Sequence, residues 1–586
     1  MKKNELYSLE ITGMTSEGNG VGKAPDGMAV FVPLTAVGDV ISCRIVKTAK
    51  SYAYGIIDKI ITPSPDRIES SCPVSSKCGG CTFRHISYDA ELRIKDKLVR
   101  DAFERIGGFN NVCFEEIKGC PNSDRYRNKA QYPVTEIDGK AVCGFYSKRS
   151  HRVVPFTDCM LQPEIFSQIA ERTMSLVNEY RIKPYNEENS SGDLRHLYLR
   201  RGFHSGEIMV CFVVKKNIAK QLSPIVKVIS EEFRDVKSIV MNINPANTNV
   251  ILGNCNTTLY GSSTIKDTMC GNVTELSPMS FYQVNTEQAE NLYSCAKTYA
   301  DLNGTETVLD LYCGAGTIGL SFADKAEKII GCEIVPEAIV NAKKNACENG
   351  HSNAEFFCGD AGEFASKLAA DGVKPDAAVI DPPRKGCDIL TLDSLVKMSP
   401  SRIVMISCNP ATAARDAKYL CEKGYSLKKV RAFDLFGRTG HVECVALMEK
   451  NNMNIQYKDI HKFKKEYLQR LFLSVEWSSG HYPEKLVKAM ENFETVFTAW
   501  DGGRLVGLIC AMDDGVMTAY VHYLLVDPEY HKLGIGRTLV ETVKEKYKDY
   551  LRIVLVAYNG ELDFYTACGF KKAADSSPMF ITKLWT

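Results

Sequence analysis

The strand-like run Val308–Leu311 passes directly into Tyr312-Cys313-Gly314-Ala315-Gly316-Thr317-Ile318-Gly319, and a helical pattern follows. Glycines let such a turn stay tight and let a ligand approach the backbone, while a helix N-terminus offers unpaired N–H groups. An acid, Glu333, ends the next apolar run, where a carboxylate can accept both ribose hydroxyls. Gly314, Gly316 and Gly319 also satisfy a dinucleotide fingerprint, so on the loop alone NAD and S-adenosylmethionine both stay open. Further short apolar runs, Lys328–Cys332, Glu355–Cys358, Ala377–Ile380 and Ile403–Ile406, alternate with helical segments and predict an α/β doubly wound sheet. Two of these runs lead into reactive turns on the same carboxyl edge, Asp381-Pro382-Pro383-Arg384 and Ser407-Cys408-Asn409-Pro410.

The rest of the chain reads as a multidomain protein. Residues 1–62 alternate short β-like runs with glycine turns, Gly18-Asn19-Gly20-Val21-Gly22 among them, and suggest a small β-barrel. Residues 63–92 carry clustered cysteines, and 93–118 follow a helical spacing through Leu98, Ala102, Phe103 and Ile106. The span 93–275 is otherwise a β-rich central domain, 276–450 the doubly wound sheet, 451–459 a polar linker and 460–586 an α+β unit. No run approaches the ~18 apolar residues a membrane helix needs, and Met-Lys-Lys-Asn-Glu is no signal peptide, so a cytoplasmic protein that does not span a membrane is expected. The 72 Lys and Arg against 71 Asp and Glu leave a net charge of +1, so a polyanion must be met by a local patch. The sequence leaves the oligomeric state open, with a monomer as the expectation.

Four spaced motifs carry a family resemblance over about residues 1–450: Asp310-Leu311-Tyr312-Cys313-Gly314-Ala315-Gly316-Thr317, Asp381-Pro382-Pro383-Arg384-Lys385-Gly386, Ser407-Cys408-Asn409-Pro410 and His441-Val442-Glu443. Together they resemble the RNA uracil-5-methyltransferases, and within them the ribosomal-RNA (23S) branch. The resemblance implies S-adenosylmethionine as methyl donor and a uridine in structured RNA as substrate. It further implies that Gln283, Tyr312, Gly314, Gly316, Glu333, Asp360 and Asp381 hold the donor, with Cys408 as nucleophile and Glu443 as base. A methylase of exocyclic amino groups needs no such cysteine, an NAD-dependent oxidoreductase leaves Asp381 and Cys408 idle, and a non-catalytic assembly factor has no need of Cys408 or Glu443. Asn409 and Pro410 read as the cap and first turn of a helix, where the local field favours a thiolate on Cys408.

The run Cys72-x5-Cys78-Gly79-Gly80-Cys81 supplies three thiols for a metal, with Cys159 as the fourth and Cys113, Cys120 or Cys143 as substitutes. Spacing alone leaves zinc and iron–sulfur open; the family resemblance implies a [4Fe–4S] cluster on Cys72, Cys78, Cys81 and Cys159. The barrel resembles the TRAM domain, an RNA-binding module. Cations concentrate at Arg125, Arg127, Lys129, Arg149 and Arg195, interleaved with Tyr126 and Tyr146, as phosphate contact plus base stacking would require. Because a stacked uridine hides carbon 6, the target base is expected flipped out or in a loop. Finally, Val526-Asp527-Pro528 followed by His531-Lys532-Leu533-Gly534-Ile535-Gly536-Arg537 is similar to the acetyl-coenzyme-A-dependent N-acetyltransferases. That likeness implies an acetyl-CoA site at Val526, His531 (where the family usually has Arg or Gln), Gly534 and Gly536, with Tyr565 as general acid; the alternative is a degenerate, purely structural unit.

Overall fold

The computed structural model describes residues 1–573 apart from 149, 188, 452–454 and 532. Two compact units result, one of residues 1–421 and 426–450, the other of 422–425 and 451–586. The first begins with a closed barrel of five strands, Leu6–Met14, Asn19–Lys23, Ala29–Pro33, Val40–Thr48 and Tyr52–Thr62. Period-2 alternation turns Leu9, Ile11, Val30, Val32, Ile41, Cys43 and Ile45 inward. The glycine run expected as a turn is largely strand, paired on both sides, and position 20 needs glycine because a side chain there would stand 2.0 Å from the Thr35 hydroxyl.

The central region is a seven-stranded sheet covered by the helices Glu164–Glu179 and Ala219–Glu232. Those helices are the main addition to the β-rich expectation. The strands Leu194–Arg201 and Ile208–Val214 sit mid-sheet and are buried almost end to end.

The doubly wound sheet has eight strands, in the order Ala354–Cys358, Lys328–Glu333, Thr307–Leu311, Ala377–Ile380, Arg402–Ser407, Glu443–Lys450, Tyr425–Phe433, Cys113–Lys118. The first five run parallel, and chain order reverses between Thr307–Leu311 and Ala377–Ile380, where such sheets open a ligand crevice. The outermost strand corrects the helical reading of 93–118. The helix Tyr88–Ala102 ends in a π-turn at Phe103–Gly107, Gly108 turns left-handed at φ +77°, and Cys113–Lys118 then pairs in parallel with Tyr425–Phe433. Glycines 107 and 108 break the helix, and the strand's partner lies over 300 residues away.

The second unit is a five-stranded sheet, Ile455–Asp459, Thr495–Asp501, Arg504–Asp513, Thr518–Val526 and Arg552–Leu555. Helices Lys465–Ser474 and Pro483–Asn492 pack on one face and Ile535–Lys546 on the other. Its first strand lies in the segment read as a linker: alternating polar residues suit an exposed edge strand as well as a loop. No helix among the described residues is long and apolar enough to cross a membrane.

Candidate active site

Five loops converge on the carboxyl edge of the eight-stranded sheet. The first leaves Thr307–Leu311 through Tyr312, held left-handed at φ +65°, and Gly316 at φ +79°. A left-handed non-glycine residue is strained, and strain of this kind gathers at functional loops. The helix expected after the loop is short, Thr317–Ser321. Glu333, at the end of the neighbouring strand, accepts from the Gly314 N–H at 3.2 Å and the Val335 N–H at 3.0 Å. Asp360 caps the helix Ala361–Ala370 through Gly362 and Glu363. Beneath the loop, Asp310 is fully buried, accepts from the Gly319 N–H at 2.9 Å, and burial pushes its carboxyl up to about 8.

Gln283 reaches this edge on the segment Ser277–Asn285, which Arg200 holds by donating to the carbonyls of Ser277 (2.6 Å) and Ser280 (2.7 Å). Asn128 adds a bond to the Gln283 carbonyl at 2.7 Å. The buried Tyr293 hydroxyl meets the side chains of Gln283 and Thr317, and feels the charge of Asp381. The same segment leaves Phe281 75% exposed, an aromatic ring presented to solvent next to the buried Tyr282. The motif reading passed over Phe281 in favour of the amide beside it.

The remaining two loops bring the reactive groups together. Glu443–Lys450 runs antiparallel to Arg402–Ser407, with Cys444 opposite Ser407. One strand therefore begins where the other ends, which puts Glu443 and Cys408 side by side. Asn409 caps the helix Pro410–Cys421, its side chain accepting from Ala411 at 3.2 Å and donating to the Arg384 carbonyl at 2.9 Å. Glu443 is only 7% exposed, and burial with the nearby Asp381 charge raises its carboxyl well above the ordinary range, against the pull of Arg384. Burial likewise lifts Asp381 to about 7. The Cys408 thiol is also raised, by burial and then by the charges of Glu443 and Asp381, so the helix terminus does not dominate as expected. A thiol and a proton-hungry carboxyl share one half-buried edge, the equipment for covalent catalysis followed by proton abstraction.

The tRNA (Uracil-5-)-methyltransferase family model matches residues 196–451, with a TRAM domain match at 2–57 and an Acetyltransferase (GNAT) family match at 460–570. An uncharacterized RNA methyltransferase of Halalkalibacterium halodurans is 43% identical over 452 residues, 77% of this chain and 98% of that protein. The chain belongs to the RNA methyltransferase family. One from Clostridium tetani is 41% identical over 448 residues, 76% of this chain and 97% of its own. Among solved structures, the Pyrococcus abyssi tRNA (uracil-54, C5)-methyltransferase in complex with S-adenosyl-L-homocysteine is 26% identical, covers 75% of this chain and 100% of its own, and superposes with a TM-score of 0.61.

In this RNA methyltransferase, Cys72, Cys78, Cys81 and Cys159 line one cavity of about 230 Å³, whereas Cys113 is exposed, Cys120 lies against Asn285 and Cys143 is in the central core. The Gly79 N–H donates to the Tyr146 carbonyl, and Arg125 donates to the Cys159 carbonyl, pinning both arms of the site. In the cavity wall, buried Nε–H groups of Arg84 and Arg127 find no acceptor. Among the described residues no three His, Cys, Asp or Glu side chains are gathered closely enough to hold a single ion. Behind these thiols the Arg84 guanidinium pairs with Asp124 at 2.6 Å, and four thiols around one space are a donor set that zinc and an iron–sulfur cluster both accept.

The cations expected to meet RNA divide. Arg195 is a correction: it is 5% exposed, donates to the carbonyls of Asn244 (2.9 Å) and Ala246 (2.6 Å), and lies over the Tyr185 ring. Its strand is central and covered on both faces, so the charge is consumed inside the fold. Arg125 is largely engaged by Cys159, Gln162 and Asp158. Tyr126 is buried and donates to the Gly437 carbonyl, so it is no stacking platform. Lys129 pairs across the sheet with Arg200; burial and the charges of Arg200 and Arg127 push its ammonium down to about 8. Arg149 lies outside the described residues.

In the C-terminal unit, Thr518–Val526 pairs with Arg552–Leu555 only as far as Val521. A bulge at His522, between the pairs Cys510–Tyr523 and Ala511–Val521, turns that strand. Gly534, left-handed at φ +81°, opens the helix Ile535–Lys546, and His531 bonds the Val526 carbonyl at 2.8 Å. A side chain at Gly536 would meet Phe564 and Val526 at 3.4 and 3.6 Å. Tyr565 sits on Leu562–Ala567, its hydroxyl pushed up to about 12 by burial.

Proposed function

We propose that the protein methylates carbon 5 of a uridine in RNA, through a transient bond between Cys408 and carbon 6 of the ring. The observation that carries this reading is the juxtaposition of Cys408 and Glu443 on paired antiparallel strands beside the glycine loop. Carbon 5 of uracil is a weak nucleophile. Addition of the Cys408 thiolate to carbon 6 leaves the electron pair on the ring as an enolate, with carbon 5 nucleophilic. S-adenosylmethionine, held by Gln283, Tyr312, Gly314, Gly316, Glu333, Asp360 and Asp381, supplies an electrophilic methyl group when bound. Glu443 then takes the carbon-5 proton, the C5–C6 double bond re-forms, and the Cys408 sulfur leaves as thiolate. Glu443 carries a raised pKa because burial destabilises its charge, which makes it a stronger base at neutral pH than an exposed glutamate. The exposed ring of Phe281 offers a stacking surface for the flipped base.

The RNA we favour is 23S rRNA, on the resemblance of the four spaced motifs to the ribosomal branch. The solved P. abyssi relative acts on tRNA, and that observation supports a second reading in which a tRNA uridine is the target. Incubation with 23S rRNA and tRNA transcripts containing 5-fluorouridine decides both points. Fluorine cannot leave as a proton, so the methylated adduct stays on Cys408. We expect a denaturant-stable band with the 23S transcript that Cys408→Ala abolishes; no band with either RNA overturns the nucleophile assignment. We further infer that Cys72, Cys78, Cys81 and Cys159 carry a [4Fe–4S] cluster with a structural role. Stoichiometric iron with visible absorbance is the expected result, and stoichiometric zinc without iron defeats it. For the C-terminal unit we infer acetyl-CoA binding at the opened edge near Val526 and the Gly534–Gly536 turn, with Tyr565 as general acid.

A further inference from the structure

Residues 434–442 join the strand Tyr425–Phe433 to Glu443–Lys450, and their backbone is held to an unusual degree. Connecting loops ordinarily leave much of their backbone to water. Here consecutive carbonyls are each taken by a group from a different part of the chain. Leu435 accepts from Asn285 (3.2 Å), Phe436 from the Lys95 ammonium (3.2 Å) and Gly437 from the Tyr126 hydroxyl (3.0 Å). The Arg438 carbonyl takes the backbone N–H groups of Thr82 (2.8 Å) and Phe83 (3.1 Å), directly after Cys81. Arg438 itself is left-handed at φ +66°, its N–H donates to Glu91 at 2.7 Å, and its guanidinium donates to the Ile86 carbonyl at 3.3 Å and the Ser123 hydroxyl at 3.4 Å.

Under the loop lies a fully buried ion network. Lys95 donates to Glu91 at 2.7 Å and to Asp434 at 2.6 Å, and the Tyr88 hydroxyl donates to the other Asp434 oxygen at 2.6 Å. All three charges are 0% exposed. Such networks seldom add stability over well-packed apolar groups, because desolvation offsets the attraction. What they do impose is one geometry, since every partner must be in place.

We propose that Arg438 and Tyr126 are positioning residues for Glu443, fixing the loop so that its carboxyl meets the carbon-5 proton. The inference rests on the Cys408–Glu443 reading. Glu443 acts only in the last step: the C5–H bond breaks, its proton passes to the carboxylate, its electron pair re-forms the double bond, and the carbon–sulfur bond opens to return the Cys408 thiolate. Formation of the adduct does not use that carboxyl. Loosening the loop therefore slows release of methylated RNA and spares adduct formation. A merely destabilised fold slows both.

The test uses the full-length protein, S-adenosylmethionine and an unmodified 23S rRNA transcript in single-turnover experiments, with adduct read on denaturing gels and methyl product counted separately. Tyr126→Phe deletes one hydroxyl and keeps the ring; Arg438→Gly relieves the left-handed backbone and releases the side chain, so both are expected to fold. Release is expected to slow about 10-fold in each, with formation changed by no more than about 2-fold, so that adduct accumulates on ordinary uridine. Equal slowing of both steps, or unchanged release in both variants, overturns the positioning role. A parallel wild-type reaction on the 5-fluorouridine transcript separates the two levels. Failure of trapping on both the 23S and the tRNA 5-fluorouridine transcripts removes the Cys408 reading itself, trapping on tRNA alone moves the variant experiment to that RNA, and trapping with unchanged release in the variants removes only this inference.

Discussion

The methyl-transfer cleft and the C-terminal unit both set a glycine turn beside the open end of parallel strands, yet they equip that place differently. In the cleft the groups we propose to act are side chains, Cys408, Glu443 and Asp381, delivered from three strand ends and crowded enough to perturb one another. In the C-terminal unit the features are largely backbone: pairing that stops after Val521, a bulge at His522 and a left-handed Gly534. Activating a pyrimidine ring demands a particular sulfur and a particular carboxyl, so it leaves a residue signature. Moving an acyl group from a thioester to an amine demands polarising N–H groups and a shaped gap, so it leaves a signature in shape. That is why one chemistry is readable in detail and the other only as a class.

The comparison is tested most severely by deleting the sulfur. Cys408→Ala is expected to lower methylation by about four orders of magnitude, as loss of a covalent nucleophile does, with acetyl-CoA affinity in calorimetry unchanged. Retention of even a tenth of the methylation rate breaks the side-chain account of the cleft. Glu443→Gln comes next, with product release down about 100-fold or more and adduct accumulating on ordinary uridine RNA. Tyr565→Phe is the matching change in the other unit. If backbone groups carry most of that chemistry, acetyl transfer falls by only about 10- to 100-fold, while the methylation rate stays at its wild-type value.

The pH dependence separates them further. The Cys408 thiol is raised above its ordinary value, so below that pKa the thiolate fraction grows about tenfold per pH unit. Trapping on 5-fluorouridine RNA, which does not require proton abstraction, is therefore expected to accelerate with unit slope from pH 6 to 8. A flat profile means that the thiolate is already formed in the free enzyme, as the helix N-terminus alone suggests.

How far these features were legible in the sequence follows from the range of the interactions that make them. The glycine loop, the Asp381 turn and the Cys408 cap are local, each set by a few neighbouring residues, and the doubly wound sheet could be read from their order. The strand Cys113–Lys118 could not, because its partner Tyr425–Phe433 is remote and nothing near Cys113 specifies the pairing. Arg195 read as a surface cation for the same reason: only the sheet order makes its strand central and covered. The thiol of Cys408 was read with the local helix field but without the carboxyls of Glu443 and Asp381, which the fold brings beside it and which, with burial, reverse the direction. The grip on residues 435–438 was invisible, since it comes from Asn285, Lys95, Tyr126 and Thr82, four separate places in the chain.

The smallest effect gives the finest version of the comparison, because it asks whether anion binding titrates. Lys129 is held down to about 8 by burial and by Arg200 and Arg127, so near pH 8 it is roughly half protonated in the free protein. A phosphate brought against it favours the ammonium and lifts that pKa, so RNA binding at pH 8 takes up roughly 0.5 proton per chain. The uptake should shrink towards pH 6, where the lysine is already charged. Calorimetry of RNA binding in two buffers of different ionisation heat measures it, and Lys129→Arg, charged throughout, should remove it while preserving the cation. Acetyl-CoA binding to the C-terminal unit, where we propose that backbone N–H groups take the pyrophosphate, should take up none at the same pH. Equal uptake in the Lys129→Arg variant takes this lysine out of the RNA contact. Equal uptake on acetyl-CoA binding means that the C-terminal unit too relies on a titrating side chain, and the contrast between the two sites fails at that point.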